Sequence, residues 1–320
     1  MRGVCISCVF AISETFYDIL FKEGKPISAC PGGAMLNSAV SLGRTGIPVA
    51  LVSELGKDLL GDMICSSLKK NNVSVEHVSR YENQKSPIAL AFLDSGNNAH
   101  YSFYEDFPYV RVLNVGRSFT KKDIVMFGSI LASSAALKNE LTRILDSADR
   151  AGATIIYDPN IRKASTPDIE KIRSLVDNNI RHSDIVRASD EDMLSIGECR
   201  NADEAYEYVL AAGCECLIYT TAGRGVFLRT SSISKYYKTP AIRPVSTVGA
   251  GDSFTAGIVY TLYQEGLTGE KPENISSAAW DVMVSTGICF ATEVCMSTEN
   301  YISKEYAQSL GSKNNEHKYL

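Results

Sequence analysis

Short unbroken apolar runs alternate along this chain with longer stretches whose apolar residues recur every third or fourth position. The short runs, at residues 4–12, 47–53, 124–128, 153–157, 184–187 and 216–221, predict buried strands. The longer stretches, near 34–45, 58–71, 134–151, 166–178, 202–212, 250–266 and 274–293, predict amphipathic helices. A strand buried on both faces and followed by a helix is the repeating unit of a parallel sheet. The pattern therefore predicts an α/β fold, doubly wound, with helices on both faces of a mostly parallel sheet.

Two segments break this rhythm. Residues 14–30 and 86–104 read as antiparallel strands, with turns at Glu23-Gly24-Lys25 and Ser95-Gly96-Asn97. A small β-sheet projecting from the body explains both, and beside a ligand crevice such a sheet acts as a lid. The expected organisation is one domain over 1–310, with lid segments at about 14–30 and 86–110 and a polar tail at 311–320.

Composition narrows the setting. The chain has 320 residues, 45% of them hydrophobic, which suffices for one large core. No stretch approaches the roughly 18–20 uninterrupted apolar residues of a membrane span. A net charge of −5 without a basic stripe argues against a nucleic-acid partner. The nine scattered cysteines suit reduced thiols in a cytoplasmic protein. The close pairs Cys5/Cys8 and Cys214/Cys216 lack the further ligands of a zinc site.

The densest chemistry lies in STVGAGDSFTAG, residues 246–257. It departs from a dinucleotide fingerprint at Phe254, and no Walker-type loop occurs in the chain. Gly249, Ala250 and Gly251 immediately precede an apolar helix. Their amides and the helix dipole favour an anion there. Asp252 falls in the first turn, where the same dipole favours its ionised form. A carboxylate beside an anion cradle suits attack by a hydroxyl on a phosphoryl group. A plain helix-capping role for Asp252 fits the same loop. A second glycine cluster, PGGAMLNSAVSLGRTG at 31–46, again precedes a helix. Gly32 and Gly33 admit a polyol close to the backbone. Asn37 can donate to and accept from its hydroxyls, and Asp18 can accept from one. A tight turn and an ordinary helical asparagine are the plain alternatives.

Together PGGAMLNSAVSLGRTG, VSELGKDLLGD (52–62) and STVGAGDSFTAG resemble the two signatures of the ribokinase-like (PfkB) carbohydrate kinases, about 210 residues apart and in the expected order. The resemblance is strongest to the fructokinase-like branch. It implies a doubly wound body with a β lid, and transfer of the ATP γ-phosphate to a sugar hydroxyl with magnesium. By position, Asp252 resembles the catalytic base and Gly249, Ala250 and Gly251 the anion hole. Asp18, Gly32, Gly33 and Asn37 resemble the sugar contacts. TTAGRGV (220–226), with Thr220, Ala222, Gly223 and Gly225, resembles a wall of the ATP site, or else makes only a hairpin turn. In DPNIR (158–162), Arg162 resembles a contact near the phosphates.

The chain departs from the family at three places. Ser189-Asp190-Glu191-Asp192 stands where asparagine, then glutamate, is usual. Ser189 keeps a nucleotide-side contact in this reading, and Asp192 would reach magnesium only through water. A helix cap fits both equally well. Ser246 replaces an aspartate, so strong activation by a monovalent cation such as potassium is not expected. Ser13 replaces a glycine. The expected partners are a sugar and ATP, with no nucleic acid or membrane, and the lid offers a surface for a homodimer. The rivals are a nucleoside or 2-keto-3-deoxygluconate kinase on this fold, and a non-catalytic sugar-binding regulator derived from a kinase.

Overall fold

The computed structural model describes residues 7–94, 99–161 and 169–316. The expected turn at 95–97, Cys5 and Arg162 lie outside them. In chain order, β1 (Val9–Ile12) enters the core and β2 (Phe16–Lys22) and β3 (Lys25–Gly32) leave it as a hairpin. Then come α1 (Ala34–Arg44), β4 (Val49–Gly56), α2 (Leu59–Lys70) and β5 (Val73–Tyr81), followed by β6 (Ile88–Leu93) and β7 (Ala99–Tyr104). The next units are β8 (Ile124–Gly128), α3 (Ser129–Ala132), α4 (Lys138–Arg150), β9 (Thr154–Asp158), α5 (Ile169–Arg181) and β10 (Ile185–Ser189). The chain ends through α6 (Asp190–Gly197), α7 (Ala202–Ala212), β11 (Leu217–Thr220), β12 (Val226–Arg229), β13 (Ser234–Tyr237), α8 (Ala250–Gln264), α9 (Ser277–Cys295) and α10 (Lys304–Glu316). The last helix thus runs past residue 310, into the stretch expected as a polar tail.

Among the described residues, nine strands form one sheet in the order β13-β12-β11-β10-β9-β8-β1-β4-β5. Pairing is parallel from β5 to β11 and antiparallel at the β11–β12–β13 edge. The central strands are buried on both faces, as their unbroken apolar runs predict. Alternate residues supply opposite cores: Val9 and Ala11 pack with α1, α8 and α9, whereas Phe10 and Ile12 pack with α4 and the helices beside it. The four-stranded lid has the order β3-β2-β6-β7. Its two hairpins join through parallel pairing of β2 with β6. Glu23 and Gly24 both take positive φ, 51° and 75°, which makes the tight turn expected there.

Strand order reverses at β1. The chain builds outward through β4 and β5 on one side, then returns through β8 on the other. The loops leaving the carboxyl ends of β1, β8 and β9 therefore diverge around a crevice, which is where open α/β sheets bind ligands.

By length and composition alone the 19-residue α9 could cross a membrane, although Asp281 and Glu293 interrupt its apolar run. Its Trp280, Met283, Val284 and Phe290 are buried in the core shared with α8. The two helices touch through glycine: a Cβ on Gly257 would lie 2.7 Å from the Gly287 Cα. Replacing Gly257 with valine is expected to lower unfolding stability by about 3 kcal/mol. Denaturant melts check this, and a wild-type midpoint would contradict the close crossing.

Candidate active site

The start of α8 is set by glycine. Gly249 takes φ 79°, and a Cβ there would lie 2.1 Å from the Asn300 carbonyl oxygen. No other residue fits both the conformation and the space. The chain then turns directly into the helix, and the Ser253 amide donates to the Gly249 carbonyl at 2.9 Å. The amides of this first turn lack partners within the helix. That of Ala250 leans back to the Thr247 carbonyl at 3.3 Å.

Asp252 follows at once and is only 6% exposed. Its Oδ2 accepts from Asn37 Nδ2 at 2.9 Å, and its Oδ1 accepts from Asn160 Nδ2 at 3.3 Å. The Ser38 hydroxyl donates to its carbonyl at 2.7 Å, pinning α8 to α1. Both glycine clusters thus meet at one carboxylate, and Asn37 keeps its Oδ1 buried without a protein donor. Asn160 is a site residue the sequence reading missed. It sits in the DPN turn at φ 43°.

Asp252 opens onto a cavity at the strand reversal, lined also by Glu14, Asp18, Asn37, Asn160 and the lid aromatic Phe103. Asp18 lies over the glycine that ends the lid strand β3: a Cβ on Gly32 would come 2.0 Å from its Oδ2. Gly33 takes φ 138°, with the Glu14 carbonyl 2.4 Å from any Cβ. The structure therefore brings Asp18, Gly32, Gly33, Asn37 and Asp252 together. Ser13, where glycine was expected, accepts from the Met35 amide at 3.4 Å, so its hydroxyl serves the first turn of α1.

Glu14 is the second residue missed. Its Oε2 accepts from the Leu131 amide at 2.9 Å. Burial pushes its carboxyl pKa upward, with the Leu131 hydrogen bond only partly opposing. Its one signal in the sequence was an acid leaving a buried strand four residues before Asp18.

On the other side of α8, TTAGRGV makes the tight connection between antiparallel β11 and β12. The Thr221 amide donates to the Gly225 carbonyl at 2.9 Å, and Gly225 takes φ 114°. Ala222 and Gly223 are exposed at its tip. Thr220 points inward and accepts from Arg187 Nη2 at 2.8 Å. Ser189 and Asp192 form a reciprocal cap on α6. Both oxygens of Asp192 are engaged, Oδ1 by the Ile161 amide at 2.7 Å and Oδ2 by the Ser189 amide and hydroxyl at 2.8 and 2.6 Å. Asp192 is 4% exposed, and in this structure its carboxylate caps α6. Among the described residues, no group of three or more His, Cys, Asp or Glu is arranged to hold a metal ion. Ser246 Oγ accepts from the Val248 amide at 3.2 Å, closing the turn before Gly249.

Residues 7–279 match the pfkB family of carbohydrate kinases. Among curated relatives, a fructokinase of Rhizobium leguminosarum bv. trifolii is 29% identical over 272 residues, covering 81% of each chain. A fructokinase of Vibrio alginolyticus is 23% identical over 275 residues, covering 85% of this chain and 89% of that one. The fold is shared with solved structures. Aminoimidazole riboside kinase from Salmonella enterica, complexed with aminoimidazole riboside and an ATP analog, superposes with a TM-score of 0.81 at 19% identity, covering 96% of this chain and 99% of that one. Fructokinase from Vibrio cholerae O395, in a fructose, ADP and calcium ion bound form, superposes at 0.79 with 19% identity, covering 92% and 94%.

The raised pKa of Glu14 sets a pH dependence of stability. The folded state favours the neutral carboxyl, so its contribution is complete below the ordinary value of 4.5 and is lost as pH rises through the folded value. Glu14→Gln keeps an acceptor for the Leu131 amide without the buried charge. It is expected to melt above wild type at pH 8, with the gap closing toward pH 4.5. Thermal scans across that range check it, and a pH-independent gap would contradict it.

Proposed function

The chain belongs to the pfkB family of carbohydrate kinases, and we propose that it transfers the γ-phosphate of ATP to a hydroxyl of a neutral sugar, fructose being the first candidate. The reading rests above all on one observation: Asp252 lies at the mouth of α8, oriented by Asn37 and Asn160, and lines the same cavity as Asp18. In this reading the sugar hydroxyl donates to Asp252, which takes its proton as the oxygen attacks the γ-phosphorus and the bond to the β–γ bridging oxygen breaks, releasing ADP. The first-turn amides, those of Gly249 and Gly251 more than that of Ala250, hold the charge on the transferred group. Asp18 and the free Oδ1 of Asn37 take neighbouring hydroxyls. Magnesium carried on the nucleotide would supply neutralisation of its phosphates, since no group of three or more His, Cys, Asp or Glu among the described residues would hold it alone. Thr220, Ala222, Gly223, Gly225 and Ser189 flank the nucleotide side. Lid strands carrying Tyr101 and Phe103 close over the sugar, excluding water so that ATP is not hydrolysed.

The cavity itself argues for a neutral substrate. Glu14, Asp18 and Asp252 all line it, and no Lys or Arg does among the described residues. An acidic sugar such as 2-keto-3-deoxygluconate would meet carboxylates without a counter-charge. A riboside remains the competing substrate, since the stacked Tyr101–Phe103 pair, 5.8 Å between centroids, offers a face to a base. The regulator reading is weakened by the intact site geometry. Ile27, Phe92 and Tyr104 are exposed on the lid and give a second copy an apolar surface to pair with.

Asp252→Asn is expected to lower kcat by about 100-fold or more while sugar binding persists. Unchanged turnover in a coupled ADP-release assay would remove the assigned role. In the same assay, fructose is expected to exceed 2-keto-3-deoxygluconate in kcat/KM by about 100-fold, and a preference for aminoimidazole riboside or adenosine would reassign the substrate.

A further inference from the structure

Arg187, in the middle of β10, is an arginine in a strand where every other position but the last is apolar and buried. Its side chain is 9% exposed. Nη1 donates to the two Asp158 oxygens at 3.3 and 3.1 Å, and Nη2 donates to Thr220 Oγ1 at 2.8 Å. Asp158 in turn accepts from the Thr255 hydroxyl of α8 at 2.8 Å. The guanidinium thus ties together the carboxyl ends of β9, β10 and β11 beneath α8. Its Nε–H is buried without a protein acceptor. It also lies directly behind the glycine loop: a Cβ on Gly251 would come 2.8 Å from Nη1 and 3.0 Å from Nη2. A side chain at Gly251 would therefore have to displace this cation.

We infer that Arg187 is a positioning residue of the phosphoryl transfer, a fixed cation behind Gly251 that keeps Asp252 ionised and lets a nucleotide polyphosphate approach the mouth of α8. This rests on the reading of Asp252 as the base. A buried ion pair alone says little about function, because structural pairs are common. Here the charge count is the stronger argument. Three carboxylates act on Arg187, those of Asp158 on β9, Asp192 on α6 and Asp252 on α8. Glu14 and Asp18 face Asp252 from the sugar side. Burial opposes the charge of Arg187, but the three carboxylates outweigh it and hold its pKa above the ordinary value. Without this cation, the carboxylates of Asp158, Asp192 and Asp252 would have no buried counter-charge beside them among the described residues, and Asp252 would bind its proton more tightly. Phe254, whose ring centroid is 5.8 Å from the guanidinium carbon, packs beside it and helps keep solvent from screening the charge.

The test compares Arg187→Gln with Arg187→Lys. ATP KM is measured, together with the pH profile of kcat/KM for fructose at saturating ATP and fructose affinity by calorimetry. Arg187→Gln is expected to raise ATP KM about tenfold and to move the acid limb up by about one pH unit, with fructose affinity changed less than about threefold. Arg187→Lys keeps the charge but cannot span Asp158 and Thr220, and is expected to hold both the limb and the ATP KM near wild type even if it melts earlier. A folded Arg187→Gln with limb and ATP KM unmoved overturns the proposal. So does an Arg187→Lys that loses ATP affinity as the neutral variant should, and this second comparison decides the matter if Arg187→Gln does not fold. The two readings fail separately. Full turnover in Asp252→Asn removes the base, whereas an inactive Asp252→Asn beside an unmoved limb in Arg187→Gln removes only the role of Arg187.

Discussion

The site depends on one constraint, that the carboxylate of Asp252 be held still at the start of a helix. Its two oxygens are bound by amides from different parts of the chain, Asn37 on α1 and Asn160 after β9. Its own carbonyl is bound by Ser38, so α8 cannot rotate without breaking a contact to α1. The long parallel sheet sets the carboxyl ends of its strands around this point, and α9 backs α8 through the Gly257–Gly287 contact. Fold and site are thus linked by packing: the crevice exists because strand order reverses at β1, and it is floored by a helix whose first turn only glycine can make.

Charge is the second organising feature. The crevice gathers the acids Glu14, Asp18 and Asp252 on its lid side, where they would serve as acceptors for the hydroxyl groups of the proposed sugar. On the opposite side of α8, where phosphates would come, a buried guanidinium balances the carboxylates of Asp158, Asp192 and Asp252. One helix terminus therefore separates two electrostatic environments suited to two different reactants. The capping pair Ser189–Asp192 holds α6 and, through the Ile161 amide, the turn that carries Asn160.

Much of this was legible in the sequence for identifiable reasons. Runs such as IVMFG at 124–128 are buried throughout, and a continuous apolar run can report that directly. The edge strands β5 and β13 have no counterpart in the sequence reading, because edge strands are half-exposed and mix polar residues, as in SKYY at 234–237. The glycine positions were legible because they encode backbone demands, a positive φ at Gly249 and the close approach of Asp18 at Gly32. Asn160, Glu14 and Arg187 were not, because their meaning comes from partners far along the chain. Asn160 lies 92 residues from Asp252, and no local pattern marks that meeting. For Asp192 the sequence left a capping acid and a metal-side acid alike, and the hydrogen bonds show the cap.

The central claim is that a sugar hydroxyl and the terminal phosphate of ATP meet at Asp252. A crystal structure of the chain with fructose and a non-hydrolysable ATP analogue tests it most directly. The account predicts one fructose hydroxyl within hydrogen-bonding distance of an Asp252 oxygen, with the γ-phosphate against the amides of Gly249–Gly251. A sugar seated away from Asp252, or a γ-phosphate that does not reach the start of α8, would contradict it.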